Sequence, residues 1–198
     1  MNENQLLDRR IQRTRQLLHE ALFSLIVERG YESITVQDIT ERANLGRTTF
    51  YLHYRDKAEL LQESVSTLLY ALRLDVEPDA AETCTFQVLS IRVFQHIARR
   101  QQLYQAILKD AVLTSTFWNG MRSYISELCL RFLPDGLLTP NGSLSMDGEI
   151  FAAHATGSLF GLVCWWLYHD TNPSAEQMGT TYCRLMLQEN NGILQDYS

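Results

Sequence analysis

Arg47, Thr48 and Thr49 stand in an unbroken run, with Tyr51, His53, Tyr54 and Lys57 close behind. A guanidinium can place two hydrogen bonds on guanine O6 and N7, and a threonine can bond a base or set its methyl group against that of thymine. Lys57 falls where a helix is expected to begin, a place where positive charge and free N–H groups suit a phosphate. Basic residues gather in two clusters, Arg9, Arg10, Arg13 and Arg15 in the first, Arg42, Arg47, Arg55 and Lys57 in the second. On charge alone, such clusters fit a solvated helix face as well as a phosphate-binding surface. Spacing has to decide between them.

Other chemistries find no foothold. His19, His53, His96, His154 and His169 are scattered, without HExxH, GxSxG or a phosphate-cradling glycine loop, so no enzyme is expected. His19 and His154 fall within apolar helical patterns, which predicts packed, hydrogen-bonded histidines. Cys84, Cys129, Cys164 and Cys183 are 45, 35 and 19 residues apart, a spacing that matches no zinc site. They read as small buried apolar side chains, and neither a metal nor a cofactor is expected. Without a signal peptide, a reducing cytoplasm is the expected location.

The elements that must position the polar run are helices. Of 198 residues, 45% are hydrophobic and 20% charged, enough for a sizeable core. No proline lies between Met1 and Glu77, which favours long helices over turn-rich sheets. The formal charge of -6 is unevenly spread: residues 1–60 hold 9 basic and 9 acidic groups, residues 61–198 hold 8 and 14. Phe151 to Tyr168 lacks Asp, Glu, Lys and Arg over 18 residues, near the lower limit for a membrane span. His154, Thr156 and Ser158 within it, and the absence of basic flanks, predict instead a buried helix of a bundle.

Ile11, Leu18, Ala21, Leu22, Leu25 and Ile26 recur with helical period, and Gly30 supplies a stop. Thr35 with Asp38 reads as a capping-box variant that opens a helix through about Ala43, with Ile39 and Ala43 as its buried stripe. Asn44-Leu45-Gly46 makes a tight turn, because Asn and Gly tolerate a left-handed backbone. A short helix from Arg47 to about His53 follows. Asp56 with Glu59 then caps a long helix ending near Glu77-Pro78. Two short helices joined by a three-residue turn, after one long helix, make a helix-turn-helix, whose second helix presents its first residues to base edges. Further helical stretches are Phe86 to Ala98, Leu103 to Val112, Phe117 to Phe132, Ile150 to Tyr168 and Ala175 to Leu187, the last capped by Ser174 with Gln177. Pro134 to Gly142 is the clearest loop.

The run from Thr35 to Leu60, above all Thr49-Phe50-Tyr51, His53-Tyr54, Lys57 and Leu60, resembles the DNA-binding domain of the TetR/AcrR family. The likeness covers residues 9 to 61. Position by position it implies base or groove contacts from Gln37, Arg47, Thr48 and Thr49, phosphate contacts from Thr35, Tyr51, His53 and Lys57, and a core role for Phe50. The pattern departs at Asn44-Leu45, where the family often has Gly-Val, and at Tyr54, where Phe is usual. Leu52 departs differently, since a polar or basic residue frequently occupies its place.

The resemblance also implies a C-terminal helical domain that dimerises and holds an inducer. The expected architecture is therefore all-α: a three-helix helix-turn-helix domain at residues 1–55, and an effector-binding and dimerisation bundle at 56–198. Ala153, Gly157 and Gly161 form a small-residue ridge on which another helix can approach, with Phe160 and Trp166 beside it. The stretch from Gly157 to Leu167 resembles the penultimate, dimer-forming helix of one subgroup of the family. Effector candidates are Phe94, Tyr104, Phe117, Trp118, Met121, Tyr124 and Ile125, which as aromatic and apolar residues at helical spacing also fit a plain core. The expected function is a homodimeric repressor of a palindromic operator on double-stranded DNA, released by a small-molecule effector. The alternative is a helical interaction or ligand-binding module without sequence-specific DNA binding.

Overall fold

The computed structural model describes residues 3–77, 85–131, 148–169 and 173–192. Among these, every regular element is a helix: α1 Glu3–Arg29, α2 Val36–Arg42, α3 Arg47–His53, α4 Lys57–Val76, α5 Phe86–Arg99, α6 Gln101–Leu108, α7 Ala111–Arg131, α8 Gly148–Tyr168 and α9 Ala175–Gly192. Cys84 and the expected loop at Pro134 to Gly142 lie outside the described residues, as does the side chain of Cys129. Two compact units are present. One takes the chain up to Leu68 together with Ala106–Phe117, the other Leu69–Gln105 and the chain from Trp118 onward.

Capping chemistry explains the element boundaries of the first unit. Gly30 ends α1 with φ 77°, and its N–H donates to Ile26 O at 3.0 Å. Asp38 N–H donates to Thr35 Oγ1 at 3.2 Å while Thr35 N–H donates to Asp38 Oδ2 at 2.7 Å, the reciprocal box expected at the start of α2. The Thr35 hydroxyl, donating to Asp38 Oδ2 at 2.6 Å, followed by Arg29 and the Thr35 N–H, holds the Asp38 carboxyl below the usual carboxylate range. Asn44 takes φ 54°, the left-handed geometry the turn needs. Glu59 N–H donates to Asp56 Oδ1 at 2.8 Å at the start of α4. Leu18, Leu22 and Ile26 of α1, Ile39 of α2, Phe50 of α3 and Leu60 of α4 are buried and form the core.

One boundary differs from the expected pattern, in the Ala106–Phe117 segment of the first unit. The stretch Leu103 to Val112, expected to be continuous, is broken: α6 stops at Leu108, and the Asp110 carboxylate accepts from Val112 N–H at 2.9 Å and Leu113 N–H at 3.0 Å, starting α7 there. The Ser174 and Gln177 cap of α9 is present, with Gln177 N–H donating to Ser174 Oγ at 3.3 Å. Helices α5 and α9 pair most extensively, and the contact centres on Gly179. A Cβ there would lie 2.4 Å from Ile91 Cα and 2.6 Å from Ile91 N. On the ridge expected to receive another helix, a Cβ at Gly157 or Gly161 would meet nothing within 4 Å. Helix α8 is long and apolar enough to cross a membrane by length and composition, yet Phe151, Ala152, Ala155, Leu159, Val163 and Trp166 on it are buried inside its own unit.

Within the second unit a polar chain ties the C-terminal half of α4 to α5 and the start of α6. His96, fully enclosed, donates from Nδ1 to Asp75 Oδ2 at 2.6 Å, and Nε2 accepts from the Tyr104 hydroxyl at 2.9 Å. Asp75 also meets Arg99 at 2.8 Å and Arg100 at 3.4 Å. Burial lowers the His96 pKa from 6.5, against the pull of Asp75, and burial does the same to His19. A base with a lowered folded value leaves the unfolded chain binding more protons, so stability falls as pH drops through 6.5. Denaturant midpoints should therefore decline from pH 7.5 to pH 5.5, and a profile that rises over that range would contradict the neutral, buried state of these rings.

Candidate nucleic-acid interface

Helix α3 is a seven-residue element fixed from below. Phe50 is buried and packs edge-on against Tyr51, with ring centroids 5.4 Å apart, and Tyr54 closes the helix as its buried C-cap. The Tyr54 hydroxyl lies 2.8 Å from His19 Nε2, and Thr67 Oγ1 lies 3.5 Å from His19 Nδ1. The reading helix is thereby pinned to α1 and α4. Tyrosine at this position fills the site and adds a polar bolt, which the departure from Phe did not foretell. His19 is packed and hydrogen-bonded as expected, whereas His154 stands exposed on α8.

With Phe50 and Tyr54 turned inward, Arg47, Thr48, Tyr51 and Leu52 project outward, and Thr49 and His53 are half-buried. No acidic residue lies on α3. Arg47 Nη2 donates to Gln37 Oε1 at 3.2 Å, so two residues expected to contact bases, from α2 and α3, meet in one cluster. Gln37 in turn donates to Glu41 at 2.8 Å. Thr35 spends its hydroxyl on the α2 cap.

Three cations expected near phosphates have partners in the fold. Arg42 grips Glu28 through two bonds of 2.7 and 2.6 Å, which makes it a brace between α1 and α2. Arg55 pairs with Glu59 at 3.2 Å. Lys57 Nζ donates to Tyr31 O at 2.9 Å and Ile34 O at 2.8 Å, and sits 4.1 Å from the Tyr31 ring centroid. Burial lowers its pKa. Arg9, Arg10 and Arg13 remain exposed along α1.

The effector candidates are divided between the two units. Phe117 belongs to the first unit and the other six to the second. Phe94 packs edge-on against Trp166 at 5.3 Å, Tyr104 serves His96, and Trp118 lies 4.3 Å from Phe160. Of the set, only Ile125 lines the apolar cavity enclosed by Phe86, Leu89, Ser90, Val93, Leu128, Leu159 and Tyr182, whose volume is about 20 Å³. Tyr124, 5% exposed, has a hydroxyl that finds no hydrogen-bond partner among the described residues, with the Arg73 guanidinium 4.7 Å over its ring. On α8, Ala153, Gly157 and Gly161 are exposed and Phe160 is half-buried. Trp166 is a correction: it is 1% exposed and donates to Pro173 O, because its ring faces the core while Trp165, 45% exposed, takes the outer face. Among the described residues no cluster of His, Cys, Asp and Glu has the makings of a metal site. Cys183 is buried and Cys164 half-buried, and burial raises both thiol pKa values.

A capped three-helix head with an outward polar and cationic second helix defines a DNA-binding protein of the helix-turn-helix class. Residues 18–64 match the bacterial regulatory proteins of the tetR family. The HTH-type transcriptional regulator TtgW of Pseudomonas putida is 31% identical over 122 residues, which are 61% of this chain and 91% of that one. YxbF of Bacillus subtilis, also an HTH-type transcriptional regulator, is 45% identical over 60 residues, 30% of this chain and 16% of YxbF. A solved TetR transcriptional regulator from Streptococcus agalactiae superposes with a TM-score of 0.66 at 24% identity, covering 93% of this chain and 99% of that one. The chain belongs to the TetR family and is a DNA-binding transcriptional regulator.

Proposed function

We propose that this chain is a cytoplasmic, homodimeric repressor that binds an inverted-repeat operator and releases it when a small molecule enters its C-terminal part. In this reading residues 1–55 read DNA, and residues 56–198 hold the effector and the dimer contact. Base or groove contacts come from Gln37, Arg47, Thr48 and Thr49, and phosphate contacts from Thr35, Tyr51, His53 and Lys57. The observation that carries the reading is the α3 surface itself, outward-facing, without acids, and clamped from beneath by Phe50 and Tyr54. For the dimer, the outer face of α8 supports a second helix: Ala153, Gly157 and Gly161 leave open space beside exposed Ile150, Trp165 and Tyr168.

For the effector, the second unit offers a cavity of about 20 Å³, room for about one water, whereas ligand sites run to roughly 300–1,000 Å³. An effector that enters this cavity selects a wider arrangement of α5, α7, α8 and α9, and its binding free energy biases the protein toward that state. Helix α4 is continuous from the half-buried Lys57 to Val76 and contributes to both units, so a shift of its C-terminal half reaches the DNA-binding head. Two heads read one operator only if their separation matches about 34–36 Å or a multiple.

Selection of bound duplexes from a random pool by the purified protein, repeated over a salt series, tests this. An enriched inverted repeat with a steep salt slope is the expected result. Weak binding without an enriched sequence would leave a helical interaction module instead. On the enriched site, Arg47→Ala should relax base choice at one position per half-site at a cost of about 1–3 kcal/mol. Unchanged affinity and base choice in that variant would remove Arg47 from the contact set.

A further inference from the structure

We propose that Leu52 determines operator specificity by packing on the C5-methyl group of one thymine in each half-site. The inference rests on the reading of α3 as the base-contacting helix. Leu52 is 77% exposed, the most exposed of the large apolar side chains described. It lies one turn beyond Thr48 and so shares a helix face with it, and both point outward. Every other large side chain on that surface, Arg47 and Tyr51 included, carries a hydrogen-bonding group.

An isobutyl group pressed against a base edge has no hydrogen bond to offer. Beside guanine O6, adenine N6 or cytosine N4 it would strip water from a polar atom and return nothing, which costs free energy. The thymine methyl is the one apolar group that a base pair presents in the major groove, and it gains from the same desolvation. Leu52 is thus favourable opposite thymine and unfavourable opposite the other bases. Arg47 and Leu52 are five residues apart, about 7.5 Å along the helix axis, or roughly two base-pair steps. The thymine therefore falls within about three base pairs of the position that Arg47 reads.

The test uses the full-length protein and the half-site recovered by selection. Each thymine is replaced singly by deoxyuridine, which removes the methyl group and keeps the pairing edge. Affinity is then measured for the native chain and for Leu52→Ala, an exposed substitution that leaves the core intact. The native protein should lose about fourfold in affinity at one thymine per half-site, the factor set by one buried CH₂-sized group. Leu52→Ala should bind the thymine and deoxyuridine duplexes alike at that position. Insensitivity of the native protein to every replacement, or an equal loss in the variant, would overturn the role of Leu52 while leaving the operator reading intact. If no sequence is enriched at all, the base-reading role of α3 fails and the role of Leu52 fails with it.

Discussion

Gly179→Ala is expected to lower the stability of the protein by about 3 kcal/mol, a fall of about 6 to 12 °C in the unfolding midpoint for a chain of this size. The added methyl would sit 2.4 Å from Ile91 Cα and 2.6 Å from Ile91 N. Those are backbone atoms of a neighbouring helix, so no rotamer change relieves the clash, and α5 and α9 must part. Within a single chain the same exchange at Gly161 has the opposite sign. Its Cβ meets nothing within 4 Å, and alanine in an open helix interior is better than glycine by about 1 kcal/mol. Thermal melts of both variants make the comparison. A neutral Gly179→Ala would mean that α5 and α9 do not approach as described. A loss at Gly161 that grows with protein concentration would place a second chain against α8.

Lys57→Met is the other substitution with a large expected effect, and it separates two roles of one side chain. Methionine keeps the stem over Tyr31 but removes the ammonium that caps Tyr31 O and Ile34 O. Two charge-assisted bonds disappear at a half-buried site, and after allowance for solvent the loss is about 2 kcal/mol. That strand of chain leads into the Thr35 cap and hence into α2, so operator affinity should fall as well. If Lys57 also neutralises a phosphate, the slope of log affinity against log salt should flatten by about 0.9 per half-site. A lowered melting midpoint with an unchanged slope would assign Lys57 to the scaffold alone. An unchanged midpoint would contradict the capping geometry.

The DNA-binding head was legible in the sequence because each of its boundaries is set by neighbours a few residues apart. Thr35 meets Asp38, Asp56 meets Glu59, Gly30 and Asn44 take left-handed backbone, and each leaves a short-range signature. The break between α6 and α7 escaped because the apolar period runs through it, and one carboxylate, Asp110, overrides that period. What was hidden lies far apart in the chain. Asp75 and His96 are 21 residues apart and His19 and Tyr54 are 35 apart, so nothing local pairs them. The small-residue rule pointed to Gly157 and Gly161, while the helix approach inside the chain uses Gly179. Period alone says that a glycine lies on a face, and only the tertiary arrangement says what stands opposite. For the same reason the aromatic candidates could be named but not sorted into core and cavity.

The chain of bonds through His96 runs in one direction. A carboxylate can only accept, so Asp75 fixes the proton on Nδ1, which makes Nε2 an acceptor and obliges the Tyr104 hydroxyl to donate. The three groups admit a single proton arrangement, with no mirror-image alternative of equal energy. A one-turn slip between the paired helices would take the buried Tyr104 hydroxyl away from the ring nitrogen that accepts its proton. The C-terminal half of α4 is therefore held in one register against α5 and the start of α6.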